Sequence, residues 1–367
     1  MTASDILPAS PARRRVLKAG AVTALAAAGG ARTVFAQTAR KIKFTLPWVA
    51  EGSNAFLWVA LNKGYWKKLG LDVELARGSG SAMAAEAIGA GRFDFGYCGT
   101  HIGILQTAKG LPLKSLGVGS YDAAIGICTL ADSGIRAPKD LEGKTLASTV
   151  SSTEYPFIPL FAKNGGLDLD KVKRVAVDAQ LRQKALLQKQ VDAISGAIGS
   201  MVPSMTAAGV KTNMMAFSQY GIQLYGGSIF TQPQRFASDP ALCEAVVQGA
   251  MEGLAYTLTD PEGALRAFAA EVKEAAISPG ALQQVKVGLG MFASSAIQDD
   301  PQSGGLGWHN PKTIASMTDL TIQYVAAPGT RKPDPESLYT NQFAGRIKLS
   351  PAQWQAAKDY FKPYLAA

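Results

Sequence analysis

The sequence predicts an α/β protein with two lobes, each built around a doubly wound, mainly parallel sheet. Three observations lead to this fold class. The chain has 367 residues, enough for two compact domains with a core each. From Lys41 onward, short apolar segments typical of strands are separated by helical segments of about ten residues, the pattern of βαβ units. The two halves of the chain also share one local pattern, at 91–96 and at 189–194.

Strands and helices alternate along the first half. The strands are recognised by alternating polarity or by aromatic residues in a short run, and the helices by apolar residues at helical spacing. In chain order, the predicted elements are strands at 42–46, 71–75 and 93–97, and helices at 55–62, at 82–90 and from Thr100 onward.

The second half repeats this alternation. In both shared patterns a helix ends, an aspartate (Asp94 or Asp192) turns the chain, and an apolar strand begins, which indicates two lobes of one architecture. The predicted elements are strands at 127–130, 145–148, 174–177, 191–194 and 228–231, and helices at 153–163, 182–189 and 241–257.

Composition excludes several classes of protein. The formal net charge is +9, but the basic residues are scattered, so we expect no nucleic-acid partner. Cys98, Cys128 and Cys243 have no CxxC spacing, which argues against a zinc site and a disulfide framework; one disulfide and three free thiols both remain open. His101 and His309 have no Cys or acidic partner at ligand spacing, so we expect no metal site.

The N-terminal 36 residues have the pattern of a cleaved export signal. Three arginines at 13–15 precede a small-residue apolar stretch at 19–30 and the cleavage-site pattern Val34-Phe35-Ala36. The arginine pair resembles a twin-arginine signal, and an ordinary secretory signal is the alternative. Because no Cys follows the apolar stretch, we expect no membrane anchor and a location in the periplasm.

Four motifs resemble one family of proteins. Residues 64–75 are similar to a GYF-x-x-x-GLDVE stretch and residues 91–96 to G-x-x-DFG, while 132–144 resembles D-S-G-I followed by DLKGK, and 190–193 resembles QVDA. These motifs, in this order, resemble the periplasmic binding proteins of ABC importers for nitrate, sulfonates, taurine and thiamine-pyrimidine precursors. The start Leu46-Pro47-Trp48 looks most like the last branch, which has Asp where this chain has Pro47.

The resemblance implies the type II periplasmic-binding-protein fold, in which two hinge strands join the lobes. Lobe one would comprise 41–124 and 226–367, and lobe two 125–225. A small-molecule ligand would lie in the cleft, and an ABC permease and its ATPase would be the partners of a monomeric binding protein.

The candidate ligand-binding residues come from helix starts and from aromatic residues near them. Helix N-termini present unpaired N–H groups, and in parallel α/β lobes they face the ligand site. Ser151 and Glu154 also have the spacing of a capping box. The helix-start candidates are Ser53, Asn54, Ser79, Ser81, Cys98, Thr100, Ser152, Thr153, Glu154 and Gly199. The aromatic candidates are Trp48, Tyr121, Tyr155 and Tyr220, whereas Tyr97 is interpreted as an edge of the core. For each of these residues, helix capping or core packing without a ligand remains the alternative.

Two ligand classes remain open. A small aromatic or heterocyclic compound would stack on Trp48 and the tyrosines, whereas a sulfonate, nitrate or carboxylate anion would use helix starts such as Ser79, Thr100 and Ser152. An exported ligand sensor is a further alternative. A fungal pyrimidine-synthesising enzyme that uses pyridoxal phosphate shares this fold, but it carries a Cys-rich loop, and this chain has no Cys cluster. We therefore predict a binding protein without a cofactor and not an enzyme.

Overall fold

Two five-stranded sheets form the centre of the molecule. The computed structural model describes residues 39–364; the export signal predicted at 1–36 lies outside the described residues. The first sheet has the strand order β2-β1-β3-β10-β4 and the second has the order β7-β6-β8-β5-β9. The strands are β1 (Arg40–Thr45), β2 (Leu71–Ala76), β3 (Phe95–Gly99), β4 (Lys114–Val118), β5 (Ile125–Leu130), β6 (Thr145–Ser148), β7 (Lys173–Ala176), β8 (Ala193–Ala197), β9 (Thr212–Ala216) and β10 (Gly227–Thr231).

Helices follow most strands, as the doubly wound pattern predicts, and a helix-rich segment follows β10. The α-helices are α1 (Ala55–Asn62), α2 (Tyr65–Lys68), α3 (Ser81–Gly89), α4 (Thr100–Ala108), α5 (Ile158–Asn164), α6 (Arg182–Leu187), α7 (Ile198–Ala207), α8 (Pro233–Ser238), α9 (Pro240–Thr259), α10 (Pro261–Glu271), α11 (Pro279–Ala296), α12 (Asp299–Gly304), α13 (Pro311–Tyr324) and α14 (Pro351–Phe361).

Each sheet has four parallel strands and one antiparallel strand. In the first sheet β10 runs against β3 and β4, and in the second β5 runs against β8 and β9. Each antiparallel strand is the first strand along the chain after it crosses from one sheet to the other. Because β4 and β9 leave their sheets at the carboxyl edge, the strand that follows enters the other sheet at its carboxyl edge and must run in the opposite direction. The carboxyl edges of the two sheets therefore face each other.

Two adjacent segments connect the sheets. The chain crosses at 119–124 and returns at 217–226. Their backbones are hydrogen-bonded, with Gly226 N donating to Ser120 O over 2.9 Å and Ala123 N donating to Leu224 O over 2.8 Å. Ala124, at the end of the first crossing, has a φ of 42°, an uncommon conformation for a residue with a side chain. The two crossings form a short two-stranded link at one side of the cleft.

Separate apolar clusters surround the sheets. The largest joins the first sheet to α1 and α9 and includes the fully buried Phe44, Phe56 and Trp66. A second cluster packs the second sheet against α5 and α13 and includes Phe161 and Phe217. Within residues 39–364, no helix is long and apolar enough to cross a membrane.

The structure corrects the predicted start of the helix after β6. Residues 153–163 were expected to be helical, but a 3-10 turn occupies Tyr155–Phe157 and α5 begins at Ile158. Pro156 lies inside that turn, where its ring is tolerated at the first or second position. The capping box predicted for Ser151 and Glu154 does not form, because both side chains bond elsewhere.

Candidate functional site

A cavity of about 140 Å³ lies between the facing carboxyl edges of the two sheets. Its volume is close to the roughly 150 Å³ that accepts a benzene ring in an engineered protein core. The first sheet and α11 provide an apolar wall, formed by Pro47, Trp48, Tyr97, Met291 and Phe292. Segments at the carboxyl edge of the second sheet provide a polar wall, formed by Ser152, Thr153, Glu154, Arg182 and Ser200.

Glu154 is the central acceptor of the polar wall. Its side chain is fully buried, and Oε1 accepts hydrogen bonds from Ser152 Oγ at 2.5 Å and Ser195 Oγ at 2.8 Å. The second carboxyl oxygen, Oε2, is buried without a hydrogen-bond partner among the described residues. A buried acceptor of this kind costs free energy unless a partner is supplied. The arrangement therefore suits a ligand that carries an N–H or O–H donor.

Glu51 reaches the cavity from the first-sheet side and bridges to the second. Its Oε1 accepts from Ser53 Oγ and from Ser200 Oγ, each at 2.6 Å. Burial raises the pKa of this carboxyl group, and the two serine bonds and the charge of Arg182 partly oppose that shift. Because Ser200 lies at the start of α7, this contact connects the two walls.

Arg182 begins α6 and is only 4% exposed. Its Nη1 donates to the carbonyl oxygen of Ser195 at 3.2 Å, and its Nε is buried without a partner among residues 39–364. The guanidinium carbon lies 6.0 Å from the centre of the Trp48 ring, within the range of a cation–π contact. Arg182 thus covers part of one face of Trp48, a ring that also lines the cavity.

The apolar wall is anchored in the core of the first sheet. Phe292 stacks on Phe56 with ring centres 5.1 Å apart, and Tyr97 meets Phe56 edge-on at 5.4 Å. Cys98 also lines the cavity, but burial raises the pKa of its thiol far above the ordinary value, so the thiolate is disfavoured. These contacts fix the wall before any ligand arrives.

The walls are also joined by hydrogen bonds at the rim. Ser81 Oγ lies 3.1 Å from Thr153 Oγ1, and Ser151 Oγ donates to Ser79 O at 3.0 Å. His101 Nε2 lies 2.7 Å from Thr153 O. Burial lowers the pKa of His101 to about 4, so the ring is neutral at pH 7 and its Nε2–H can donate to that carbonyl. The structure thus represents an arrangement in which the sheets are close together.

The cavity gathers eight of the candidate residues predicted from the sequence: Trp48, Ser53, Ser81, Cys98, Ser152, Thr153, Glu154 and Gly199. Six others do not line it. Asn54 is buried and bonds to Val49 O, and Thr100 bonds to Gly226 O and Ser228. Tyr121 packs edge-on against Tyr225, Tyr220 packs against Phe161, and Ser79 and Tyr155 are exposed.

Several cavity residues were not among the candidates, including Glu51, Arg182, Ser200 and Phe292; Tyr97, which was interpreted as an edge of the core, also lines the cavity. Glu51 stands in a predicted helix-start segment, and Arg182 follows a predicted strand. The rule that helix starts face the site would therefore have identified both residues. Ser200 belongs to a helix that was not predicted. Phe292 reaches the cavity from α11, far along the chain, and no local pattern in the sequence marks it.

Acidic side chains outnumber basic ones among the residues that line the cavity. Glu51, Asp122 and Glu154 provide three carboxyl groups, whereas Arg182 is the one basic side chain among the described lining residues. Within residues 39–364, no group of three or more His, Cys, Asp or Glu side chains is arranged to hold a metal ion. The site is chemically suited to a small planar molecule that donates hydrogen bonds.

Comparisons with known proteins identify the family of the chain. A family model described as NMT1/THI5 like matches residues 52–264. The chain is 26% identical over 229 residues to a "Putative thiamine biosynthesis protein" of Haemophilus influenzae, covering 62% of this chain and 72% of that protein. It is 21% identical over 236 residues to the formylaminopyrimidine-binding protein of Halalkalibacterium halodurans, covering 64% and 71%.

A solved structure shows the fold. The alkanesulfonate-binding protein SsuA from Xanthomonas axonopodis pv. citri, bound to MOPS, superimposes with a TM-score of 0.63 at 16% identity, covering 82% of this chain and 98% of that one. The solute-binding-protein fold predicted from the sequence motifs is therefore confirmed. The family model covers more than half of the chain, and the chain belongs to the NMT1/THI5-like family.

Proposed function

We propose that this protein is an exported solute-binding protein that captures a small nitrogen-containing heteroaromatic ligand for an ABC importer. The observation that carries the proposal is the unpartnered Oε2 of Glu154, a residue that lines a cavity of single-ring size together with the apolar wall. A ring amine or ring N–H would satisfy that oxygen, while the ring face would lie against apolar side chains. The formylaminopyrimidine-binding relative supports the same ligand class.

The lobe boundaries proposed here follow the strands. Lobe one would comprise 41–124 and 226–367, lobe two 125–225, and the hinge the two crossings between the sheets. Periplasmic location, cleavage near Ala36, a monomeric state, and permease and ATPase partners are part of the same proposal. N-terminal sequencing of the protein recovered from a periplasmic fraction tests the cleavage, because an intact N-terminus there contradicts it.

Binding of a small anion is the second candidate. Arg182 and the likeness to an alkanesulfonate-binding protein favour it. Against it, an anion would meet three carboxyl groups and one guanidinium in the same cavity. An exported sensor would use the same ligand site, and loss of uptake after deletion of the gene distinguishes transport from sensing.

Catalysis is the less favoured reading of the site. Neither His101 nor His309 lines the cavity, and burial raises the pKa of Cys98, so the described lining residues include neither a histidine base nor a readily ionised thiol. Turnover of a bound ring compound, followed by mass spectrometry, would contradict a purely binding role.

A thermal-shift screen tests the proposed ligand class. The protein is titrated with aminopyrimidines, aminopyridines, aromatic acids, taurine, alkanesulfonates and nitrate. A ligand at a hundred times its Kd stabilises the folded state by about 2.7 kcal/mol, enough for a clear shift. We expect the amino-substituted rings to raise the midpoint most. A shift with nitrate or sulfonates alone would overturn the proposal.

A further inference from the structure

Arg182 is a buried hydrogen-bond donor in the same cavity, whereas Glu154 is an acceptor. The inference drawn from Arg182 rests on the proposed function. The guanidinium is confined between Trp48, 6.0 Å away, and the backbone of Gly196, where an added Cβ would lie 2.7 Å from the guanidinium carbon. The absence of a side chain at Gly196 thus creates the space that the guanidinium occupies. Arg182 is held in one position by packing.

Most of the donor capacity of Arg182 is unused. A guanidinium has five N–H donors, yet the described residues provide one acceptor, the carbonyl oxygen of Ser195. Nε is buried and unpartnered, and none of the ion pairs within residues 39–364 includes Arg182. Because arginine stays charged at all physiological pH values, a buried guanidinium with one hydrogen bond is costly. An acceptor from outside the chain would remove that cost.

The two unsatisfied groups lie on either side of one residue. Ser195 Oγ donates to Glu154 Oε1 at 2.8 Å, and Ser195 O accepts from Arg182 Nη1 at 3.2 Å. Glu154 and Arg182 both line the cavity and do not form an ion pair, and Glu154 Oε2 and Arg182 Nε each lack a partner among the described residues. Because both residues bond to Ser195, a small ring with a donor and an acceptor on neighbouring atoms would suit the pair.

We propose that Arg182 determines ligand specificity by binding a carbonyl-type oxygen on the ring, next to the N–H donor that Glu154 binds. The ligand class is then a small aminoheterocycle with a neutral carbonyl substituent on the adjacent ring atom. A neutral oxygen fits better than a carboxylate, because the cavity already contains three carboxyl groups.

Matched pairs of ring compounds test this proposal by calorimetry on the full-length mature protein. One pair is 2-aminonicotinamide and 2-amino-3-methylpyridine; the other is 4-amino-2-methylpyrimidine-5-carboxamide and 4-amino-2,5-dimethylpyrimidine. The two members of each pair differ at the ring position next to the amino group, where one has a carboxamide and the other a methyl group. We expect at least a tenfold preference for the carboxamide in the wild-type protein. The isomer 6-aminonicotinamide, which separates the two groups across the ring, should lose most of that preference.

Variants identify the group responsible. In Arg182→Gln the tenfold preference of the carboxamide over the methyl compound should fall below about threefold. Arg182→Lys keeps the charge and a donor for Ser195 O, so it should fold even if the glutamine variant does not, and its preference should also fall at least threefold because the fork is lost. Arg174→Gln, on an exposed residue of the second sheet, is the matched control and should retain the full preference.

The outcomes separate this inference from the proposed function. Equal binding of the carboxamide and methyl compounds by the wild-type protein overturns the role of Arg182. It does not contradict the proposed function, which is the binding of a small ring compound. A preference that persists in both Arg182 variants does the same. A wild-type protein that binds none of the ring compounds contradicts the proposed function, and this inference falls with it.

Discussion

The two walls of the cavity differ in chemistry and in the way they are held. The apolar wall is part of the largest core, since Phe292 stacks on Phe56 and Tyr97 packs on the same ring. The polar wall depends on hydrogen bonds around Ser195, which lies in β8 of the second sheet. The difference suggests that the two walls have separate roles: the apolar wall packs against the face of a ring, and the polar wall forms hydrogen bonds with its substituents.

This division also explains why the ligand would hold the sheets together. The two kinds of contact come from different sheets, and a ring that uses both must bridge them. Several rim contacts, such as Ser81 with Thr153, already bridge the same cleft. A ligand therefore adds to a set of cross-cleft contacts that can form only when the walls are close.

The largest effect is expected from the polar wall. Glu154→Gln keeps the shape of the side chain but replaces one acceptor oxygen by an NH₂ donor. Hydrogen bonds to charged groups contribute about 1.5–3 kcal/mol, so the affinity for an aminoheterocycle should fall roughly tenfold to hundredfold. Calorimetry with the best ligand of the thermal-shift screen measures the change.

Glu142→Gln is the matched control for that experiment. Glu142 also belongs to the second-sheet side, but it pairs with Lys171 outside the cavity. Its replacement should leave ligand affinity unchanged. An equal loss in both variants would indicate a general effect of carboxylate removal, and an unchanged affinity in Glu154→Gln would remove Glu154 from the site.

A smaller but clear effect is expected from the apolar wall. Trp48→Ala removes a half-buried ring from the cavity and also uncovers Arg182. Affinity should fall at least tenfold without unfolding the protein, because Trp48 is not among the fully buried core residues. Trp48→Phe keeps an aromatic face and should lose less than half of that binding free energy. Unchanged affinity in the alanine variant would show that the ring does not contact the ligand.

The two histidines allow a comparison by pH instead of by ligand. His101 connects the walls through Thr153, whereas His309 lies behind the apolar wall, bonded to Ser115 at 2.7 Å. Burial lowers the pKa of both to about 4, below the ordinary 6.5. The unfolded chain therefore takes up protons first, and stability that is complete above pH 6.5 is lost as the pH falls towards 4.

At pH 5 each histidine should reduce the free energy of unfolding by roughly 2 kcal/mol, and the midpoint of thermal unfolding should fall by roughly 5 °C relative to pH 7. His101→Gln should remove about half of that decrease. Glu51 contributes with the opposite sign, because burial raises its pKa, so the difference between variant and wild type is the quantity to measure. A midpoint with the same pH dependence in both proteins would contradict the assignment.

Local periodicity was sufficient to predict most of the strands and six of the fourteen α-helices of the described residues. The helix at Ala55–Asn62 and the strand at Thr145–Ser148 agree residue for residue with the prediction, because each is bounded by clear sequence signals. The strands Lys114–Val118 and Thr212–Ala216 were not predicted. Thr212–Ala216 is partly exposed at the edge of its sheet, so its apolar pattern is weak.

Site residues were predicted only where a local sequence pattern, such as a helix start after a strand, marks them. Helix starts follow strands in the sequence, so the approach of Ser81 to Thr153 follows from the fold class. The contact between Arg182 and Trp48 joins residues 134 positions apart, and Phe292 enters from a helix-rich segment whose packing no local pattern specifies. Asn54 and Thr100 have polar side chains that could bind a ligand, but both bond to backbone carbonyl oxygens instead. Only the fold distinguishes a ligand-binding side chain from one that bonds to the backbone.

The smallest expected effect concerns the rim that joins the walls. Ser81→Ala removes the hydrogen bond to Thr153 and also the acceptor that Ser81 Oγ provides to Gly99 N at 3.1 Å. A neutral hydrogen bond contributes about 0.5–1.5 kcal/mol, so affinity should fall roughly twofold to tenfold. Since the bond forms only when the sheets are close, the change should appear in the dissociation rate and not in the association rate, as stopped-flow fluorescence can resolve. Ser238→Ala is the control, because that hydroxyl bonds only to its own helix, at Arg235 O. If both serine variants release the ligand at the wild-type rate, the contact at Ser81 does not stabilise the closed cleft, and the ligand and the other bonds between the walls, such as Ser200 to Glu51, hold it closed.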